Sequence, residues 1–218
     1  MSKTLTGAYV GTYSFEQIGG AGYTYNGQLT NAGTVTGGEG GHFPLNGYTG
    51  GVGILMLGGA LANDAGHAVT GGRGGLSEDS FENYSGGAGG AGVFLDSGAS
   101  VVNYGMITGG AGGTGHSVGQ AGDGVDAAGV ALVVNSGTIT GFVGVSGQGA
   151  GGLIVANAGT IDGTGGTAVQ FGSASDVLVV EAGSTLIGSA VGDGGTLEFG
   201  SGGGPGTVTG LGSGALTG

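Results

Sequence analysis

Asn135-Ser-Gly-Thr-Ile-Thr-Gly141 is a short unit that the chain repeats. It recurs as Asn31-Ala-Gly-Thr-Val-Thr-Gly37, as Asn103-Tyr-Gly-Met-Ile-Thr-Gly109 and as Asn157-Ala-Gly-Thr-Ile-Asp-Gly163. A looser copy runs from Asn63 to Gly71, and copies without the Asn follow as Thr185-Leu-Ile-Gly188 and Thr207-Val-Thr-Gly210. Each unit alternates Thr, apolar residue, Thr between glycines, which is the signature of a short half-buried strand. Self-similarity at this scale marks a stacked architecture, because one unit cannot bury its apolar face without a neighbour. The central residues Val35, Val69, Ile107, Ile139, Ile161, Leu186 and Val208 therefore read as one inward stack.

The shortest spacing between these residues is 22, and the early spacings are longer by about 10–16. That pattern predicts an all-β, right-handed parallel β-helix (β-solenoid) with coils of about 22 residues. Gly-rich loops are inserted at one corner of the early coils, at 37–53, 71–92 and 109–129. A second strand is expected before each Asn, in Gly53-Ile-Leu-Met-Leu57, Gly92-Val-Phe-Leu95, Gly129-Val-Ala-Leu-Val-Val134 and Gly152-Leu-Ile-Val155. Strands of the same character lie at 168–171, 176–180 and 196–199. The division is an aromatic-rich segment 1–28, a solenoid over 29–210 and an uncapped tail 211–218. Segment 1–28 holds Tyr9, Tyr13, Phe15, Tyr23 and Tyr25, which suit a cap or a docking surface.

Composition narrows the function. Glycine supplies 64 of 218 residues, but only two prolines and the lack of a strict three-residue glycine period exclude collagen. A hydrophobic content of 38 % argues against disorder. Fourteen acids face two bases, Lys3 and Arg73, for a formal charge of −12. Nucleic acid needs a basic footprint, so no nucleic-acid partner is expected, and anionic lipid is disfavoured for the same reason. No apolar run is long enough for a membrane span. Without cysteine there is no disulfide and no thiol nucleophile. The first fifteen residues lack the basic and apolar regions of a secretory signal, which leaves the export route open.

The Asn-Ser-Gly-Thr-Ile-Thr-Gly unit, with the Ser-Asp-Val-Leu-Val-Val-Glu-Ala-Gly-Ser-Thr stretch at 175–185, resembles the β-helical passenger repeats of bacterial autotransporters and related glycine-rich surface proteins. The resemblance spans roughly residues 29–210. It implies a non-enzymatic structural or adhesive solenoid, extracellular or on the cell surface, without a cofactor. Its partners would be surfaces or glycans, or further copies joined end to end into fibres. The chain departs from those proteins in showing neither an export signal nor a C-terminal membrane barrel.

Candidate sites are few. Asn31, Asn63, Asn103, Asn135 and Asn157 read as a structural ladder of turn asparagines bonded to one another and to backbone. Thr34, Thr36, Thr70, Thr108, Thr138, Thr140 and Thr160 read as an outward surface ladder. Such ranks also resemble those of ice-binding solenoids, which makes ice the alternative ligand; Ala68, Met106 and Asp162 interrupt them. Asp123-Gly-Val-Asp126 is a partial match to a calcium-binding nonapeptide, and Glu78, Asp79 and Glu82 form another acidic group. Calcium needs six or more oxygens, so neither is expected to require it. His42, His67 and His116 lack metal-ligand spacing. A polysaccharide-active enzyme is the lesser alternative, with Asp162 and Asp176 as its nearest carboxylates. If the Gly-Gly-x-Gly-Gly units leave one corner side by side, Glu39, Arg73 and Ala111 become equivalent, and Glu39 and Arg73 are expected to pair.

Overall fold

The computed structural model describes residues 1–200 except 14, 16, 43–45, 78–83, 150 and 193. Val208, Glu78, Asp79, Glu82 and the tail 211–218 lie outside the described residues. Among the described residues there is no helix, and strands from Ser2–Leu5 to Thr196–Phe199 join in one 17-stranded sheet. Every register within it is parallel. The chain therefore returns to the same edge after each circuit, which is the topology of a β-solenoid.

Each circuit contributes to three strand stacks. The repeated Thr-apolar-Thr unit forms one of them, through Thr34–Thr36, Ala68–Thr70 and Met106–Thr108 and the first halves of Thr138–Gly147, Thr160–Gln170 and Thr185–Val191. Val35, Val69, Ile107, Ile139, Ile161 and Leu186 are consecutive partners in it, and all but the half-buried Leu186 are fully enclosed. The strands expected before each Asn divide between two stacks. Ala131–Asn135, Leu153–Asn157 and Val177–Val180 belong to a stack that carries the asparagines. Val93–Leu95, Val125–Ala127 and the start of Ile54–Asn63 form a separate stack facing another way. Its inward column Ile54, Val93, Val125 and Val145 completes the core.

The solenoid begins before residue 29. Ser2–Leu5 pairs with residues 28–31, and Ala8–Val10 pairs with Thr34–Thr36. Segment 1–28 thus holds the first circuit. Tyr9 stands over Val35, and Tyr23 and Tyr25 stand over Ile54 and Met56. Tyr9 and Tyr23 meet edge to face at 5.5 Å, so aromatic rings cover this end of the core. Tyr13 and Phe15 remain exposed.

The asparagines make an unbroken buried ladder. Asn31 Nδ2 donates to Asn63 Oδ1 at 2.8 Å, Asn63 to Asn103 at 2.7 Å, Asn103 to Asn135 at 2.8 Å and Asn135 to Asn157 at 2.8 Å. Asn157 ends the series by donating to Ser184 Oγ at 2.7 Å. Each amide also reaches a backbone carbonyl of the following circuit, as Asn63 does at Met106. All five are fully enclosed, and the side chains remain paired where an isolated amide would be costly.

The inserted Gly-rich segments form ordered pairs of arms, each with an outgoing and a returning limb. Gly37 and Gly40 donate to the Thr70 and Arg73 carbonyls of the next outgoing arm, and Gly71 and Gly74 donate to Thr108 and Ala111. Gly38 and Gly41 donate across to Gly20 and Gln17 of a returning arm. Contacts therefore recur every three residues, the repeat of a polyproline II-type helix. One bond series runs across the layer from Gly122 through Gly110, Gly90, Gly72, Gly51 and Gly38 to Gly20. A Cβ on Gly72 would fall on the Gly38 carbonyl oxygen, so this close approach admits only glycine.

The arms place Glu39, Arg73 and Ala111 in equivalent positions. The expected Glu39–Arg73 ion pair is nevertheless absent. The Glu39 carboxylate instead lies 3.8 Å from His42 Nε2, a contact that becomes an ion pair only when the imidazole is protonated. Three residues complete one turn, so Glu39 and His42 share a face of the same arm.

Asn103→Ala removes an acceptor from Asn63 and a donor from Asn135, and is expected to destabilise the fold by about 2–4 kcal/mol in urea titration. Gly72→Ala is expected to cost about 1–3 kcal/mol and to expose the Gly51 and Gly90 amides to hydrogen exchange. Arg73→Ala, one residue away on the exposed side of the arm, should stay within about 0.5 kcal/mol of wild type.

Candidate functional site

The returning arms and the strands they lead into share one rhythm. Thr49, Val52 and Leu55 are three residues apart, as are Ala88, Ala91 and Phe94, and Gln120, Asp123 and Asp126. The third member of each series is an outward residue of a strand, and Leu55, Phe94 and Asp126 are register partners on successive circuits. The arm layer meets the strand stack at an angle, and the inside of that angle is an open groove of about 490 Å³. Most of its lining is apolar side chain and glycine backbone, with Leu55 and Phe94 on the strand side and Val52, Ala88 and Ala91 on the arm side.

Asp123 and Asp126 stand in the groove at its fourth circuit. Asp123 accepts the Val143 amide at 3.1 Å and a hydrogen bond from the Ser146 side chain. Asp126 Oδ2 accepts Gln148 Nε2 at 3.2 Å, while Oδ1 is buried without a partner. Burial, and secondarily the charge of Asp123, push the Asp126 carboxyl up to about 6. Burial raises Asp123 as well, against the opposing pull of its two donors. Two half-buried carboxylates thus line one groove, near enough for the charge of one to raise the proton affinity of the other, which favours a bound proton or a cation.

The other carboxylates are not brought together. Asp176 is enclosed, and its oxygens accept four backbone amides: Gly152 and Leu153 at 2.9 Å, Gly172 at 3.2 Å and Ser173 at 3.1 Å. It staples a corner between circuits. Asp162 stands on a different stack, between Thr140 and Ile187. Among the described residues no three His, Cys, Asp or Glu gather within reach of one metal ion.

The threonines form two ranks on the outer side of the repeated unit. One runs unbroken through Thr36, Thr70, Thr108 and Thr140 and ends at Asp162. The other runs Thr34, Ala68, Met106, Thr138 and Thr160, with Met106 56 % exposed.

The stack that carries the asparagines has an outer face of a different character. Its rows run Ala60, Ser100, Leu132, Ile154 and Val177, and Ala62, Val102, Val134, Ala156 and Val179. Leu132 and Ile154 are 39 % and 41 % exposed. Neither this face nor the groove was singled out from the sequence. The signals were present: the three-residue spacing for the groove, and apolar residues on both sides of 131–135 and 153–156 for the face.

No family model, no curated protein and no solved structure matches the chain. No helix among the described residues is long and apolar enough to cross a membrane.

A raised carboxyl favours folding while it is protonated, so that contribution is present below about pH 4 and is lost as pH climbs through about 6. Between pH 4 and 7 the melting temperature of the wild type is expected to fall relative to that of Asp126→Asn. Parallel melting curves of the two proteins across this range would show that the burial of Asp126 carries no such cost.

Proposed function

We propose that the chain is a non-enzymatic structural or adhesive solenoid that works through its outer faces, in the manner of the autotransporter passengers its repeat resembles. The reading includes right-handed winding and a basic coil of about 22 residues. It places the protein outside the cell or on its surface.

The observation that carries the reading is the outer face through Leu132 and Ile154. Over five circuits its two rows contain no charged residue, in a chain with fourteen acids. At a strand spacing of about 4.8 Å the face extends for about 20 Å along the axis. An uncharged, largely apolar patch, interrupted by Ser100, marks an interaction surface on a charged molecule. The buried asparagine ladder belongs to the same strands as this face, so adsorption does not require the molecule to become ordered first. End-to-end association into fibres belongs to the same reading.

The unbroken Thr36–Thr140 rank supports a second reading, ice binding, on a separate stack. One pair of substitutions separates the two. Leu132→Ser with Ile154→Ser is expected to lower adsorption to a hydrophobic surface about tenfold on a quartz microbalance, through lost apolar contact. The circular dichroism spectrum and freezing hysteresis should not change. Unaltered adsorption would remove this face from the proposal.

A further inference from the structure

The groove between arms and strands differs from both outer faces, because it is concave and carries charge at one place only. Asp123 and Asp126 line it, and Oδ1 of Asp126 has no hydrogen-bond partner. Neither base of the chain, Lys3 or Arg73, lines it, so the protein supplies no counter-charge there. Beside the carboxylates lie Phe94 and then Leu55, one and two circuits away in the same outward row. That row is about 10 Å long, the reach of a chain of six carbons with a head group. The volume of about 490 Å³ falls within the range of small-molecule sites.

We propose that this groove binds a primary ammonium carried on an unbranched aliphatic chain, with the ammonium between Asp123 and Asp126 and the chain over Phe94 and Leu55. The ammonium offers three donors, and the carboxylates of Asp123 and Asp126 are the charged acceptors in the groove lining. Two ionised carboxyls in one recess repel each other, and a bound cation removes that repulsion. A calcium ion suits the place less well. It requires six to eight oxygens, and besides the two carboxylates the groove lining offers only the Gln120 and Thr49 side chains and glycine backbone. Hydrocarbon over Phe94 and Leu55 gains from leaving water, which a metal ion cannot do. The inference does not rest on the adhesive reading, because the groove and the Leu132–Ile154 face belong to different stacks.

Calorimetric titration with hexylammonium, 1-hexanol and hexanoate at pH 7.5 tests it on the full chain. Hexylammonium is expected to bind saturably at one site, hexanol at least about tenfold more weakly, and hexanoate not at all. Asp126→Asn is expected to lower hexylammonium affinity about tenfold, and Phe94→Ala to lower it by a similar factor. Asp64→Asn, an acid outside the groove, should leave it unchanged. Equal binding of amine and alcohol would overturn the proposal, as would equal losses in Asp126→Asn and Asp64→Asn. Displacement of hexylammonium by stoichiometric calcium would replace it with a metal site. Asp126→Asn keeps the shape of the side chain and removes a charge that burial disfavours, so loss of the fold does not mask the result.

Discussion

Asn63, Asn103 and Asn135 each give an amide to the next asparagine and accept from the one before, and that exchange fixes the register of every circuit it touches. An amide in an apolar core is costly unless both its ends are used. A shift of one residue would turn the amide outward and an apolar neighbour inward, because strand side chains alternate. The penalty is therefore paid at two asparagines and two core positions together. The Val–Ile column beside the ladder has no such selectivity, since Val69 would pack acceptably against many apolar partners. Hydrophobic burial holds the circuits together, and the asparagines decide which residue lies over which.

Correct register is also what makes the arms workable. An outgoing arm leaves the repeated unit directly after Thr36, Thr70 or Thr108, so arms begin at matched heights only if those threonines are in line. The arms then pack backbone on backbone, with glycine amides bonded every third residue. Glycine loses more freedom on ordering than any other residue. The close approach compensates by satisfying amides that a loose loop would leave to water, and it places exposed residues such as Glu39 and Arg73 along the outside. The groove follows from this geometry: an arm layer and a strand stack that share a three-residue rhythm at their junction leave an inside corner between them.

The legible part of the sequence was the part with a marker. Asn-x-Gly followed by Thr-apolar-Thr is distinctive, and it located the repeated strand, the inward column and the ladder residues. The strands at 54–56 and 131–135 carry no comparable tag, since both are short apolar runs behind glycine, and a single series was the simpler reading of two. The arms were hidden differently. Gly-Gly-x-Gly-Gly fits a flexible loop as well as a helix of three residues per turn, and only bonds between arms, made at long range, distinguish them. That same period explains Glu39, which finds His42 in its own arm instead of Arg73 in the next. Asp176 gave no sign of its role, because four backbone donors from two circuits converge on it only after the corner is formed.

The scarcity of charge has a physical source in the ladder. Equivalent residues of successive circuits stand about 4.8 Å apart, so a charge repeated along a row would repel its own copies. In the paired strands each acid has uncharged neighbours: Asp162 lies between Thr140 and Ile187, Glu198 beside Val179, and Asp126 between Phe94 and Ser146. The rule governs rows, and Asp123 escapes it by belonging to the arm. Three residues ahead of Asp126 in the chain, it reaches the same corner from the other wall of the groove. Proximity forbidden along the stack thus arises across the junction, where two kinds of backbone meet. Burial at that corner raises the proton affinity of Asp126 and the charge of Asp123 adds to it, so a site of chemical character exists in a molecule built almost wholly from repetition.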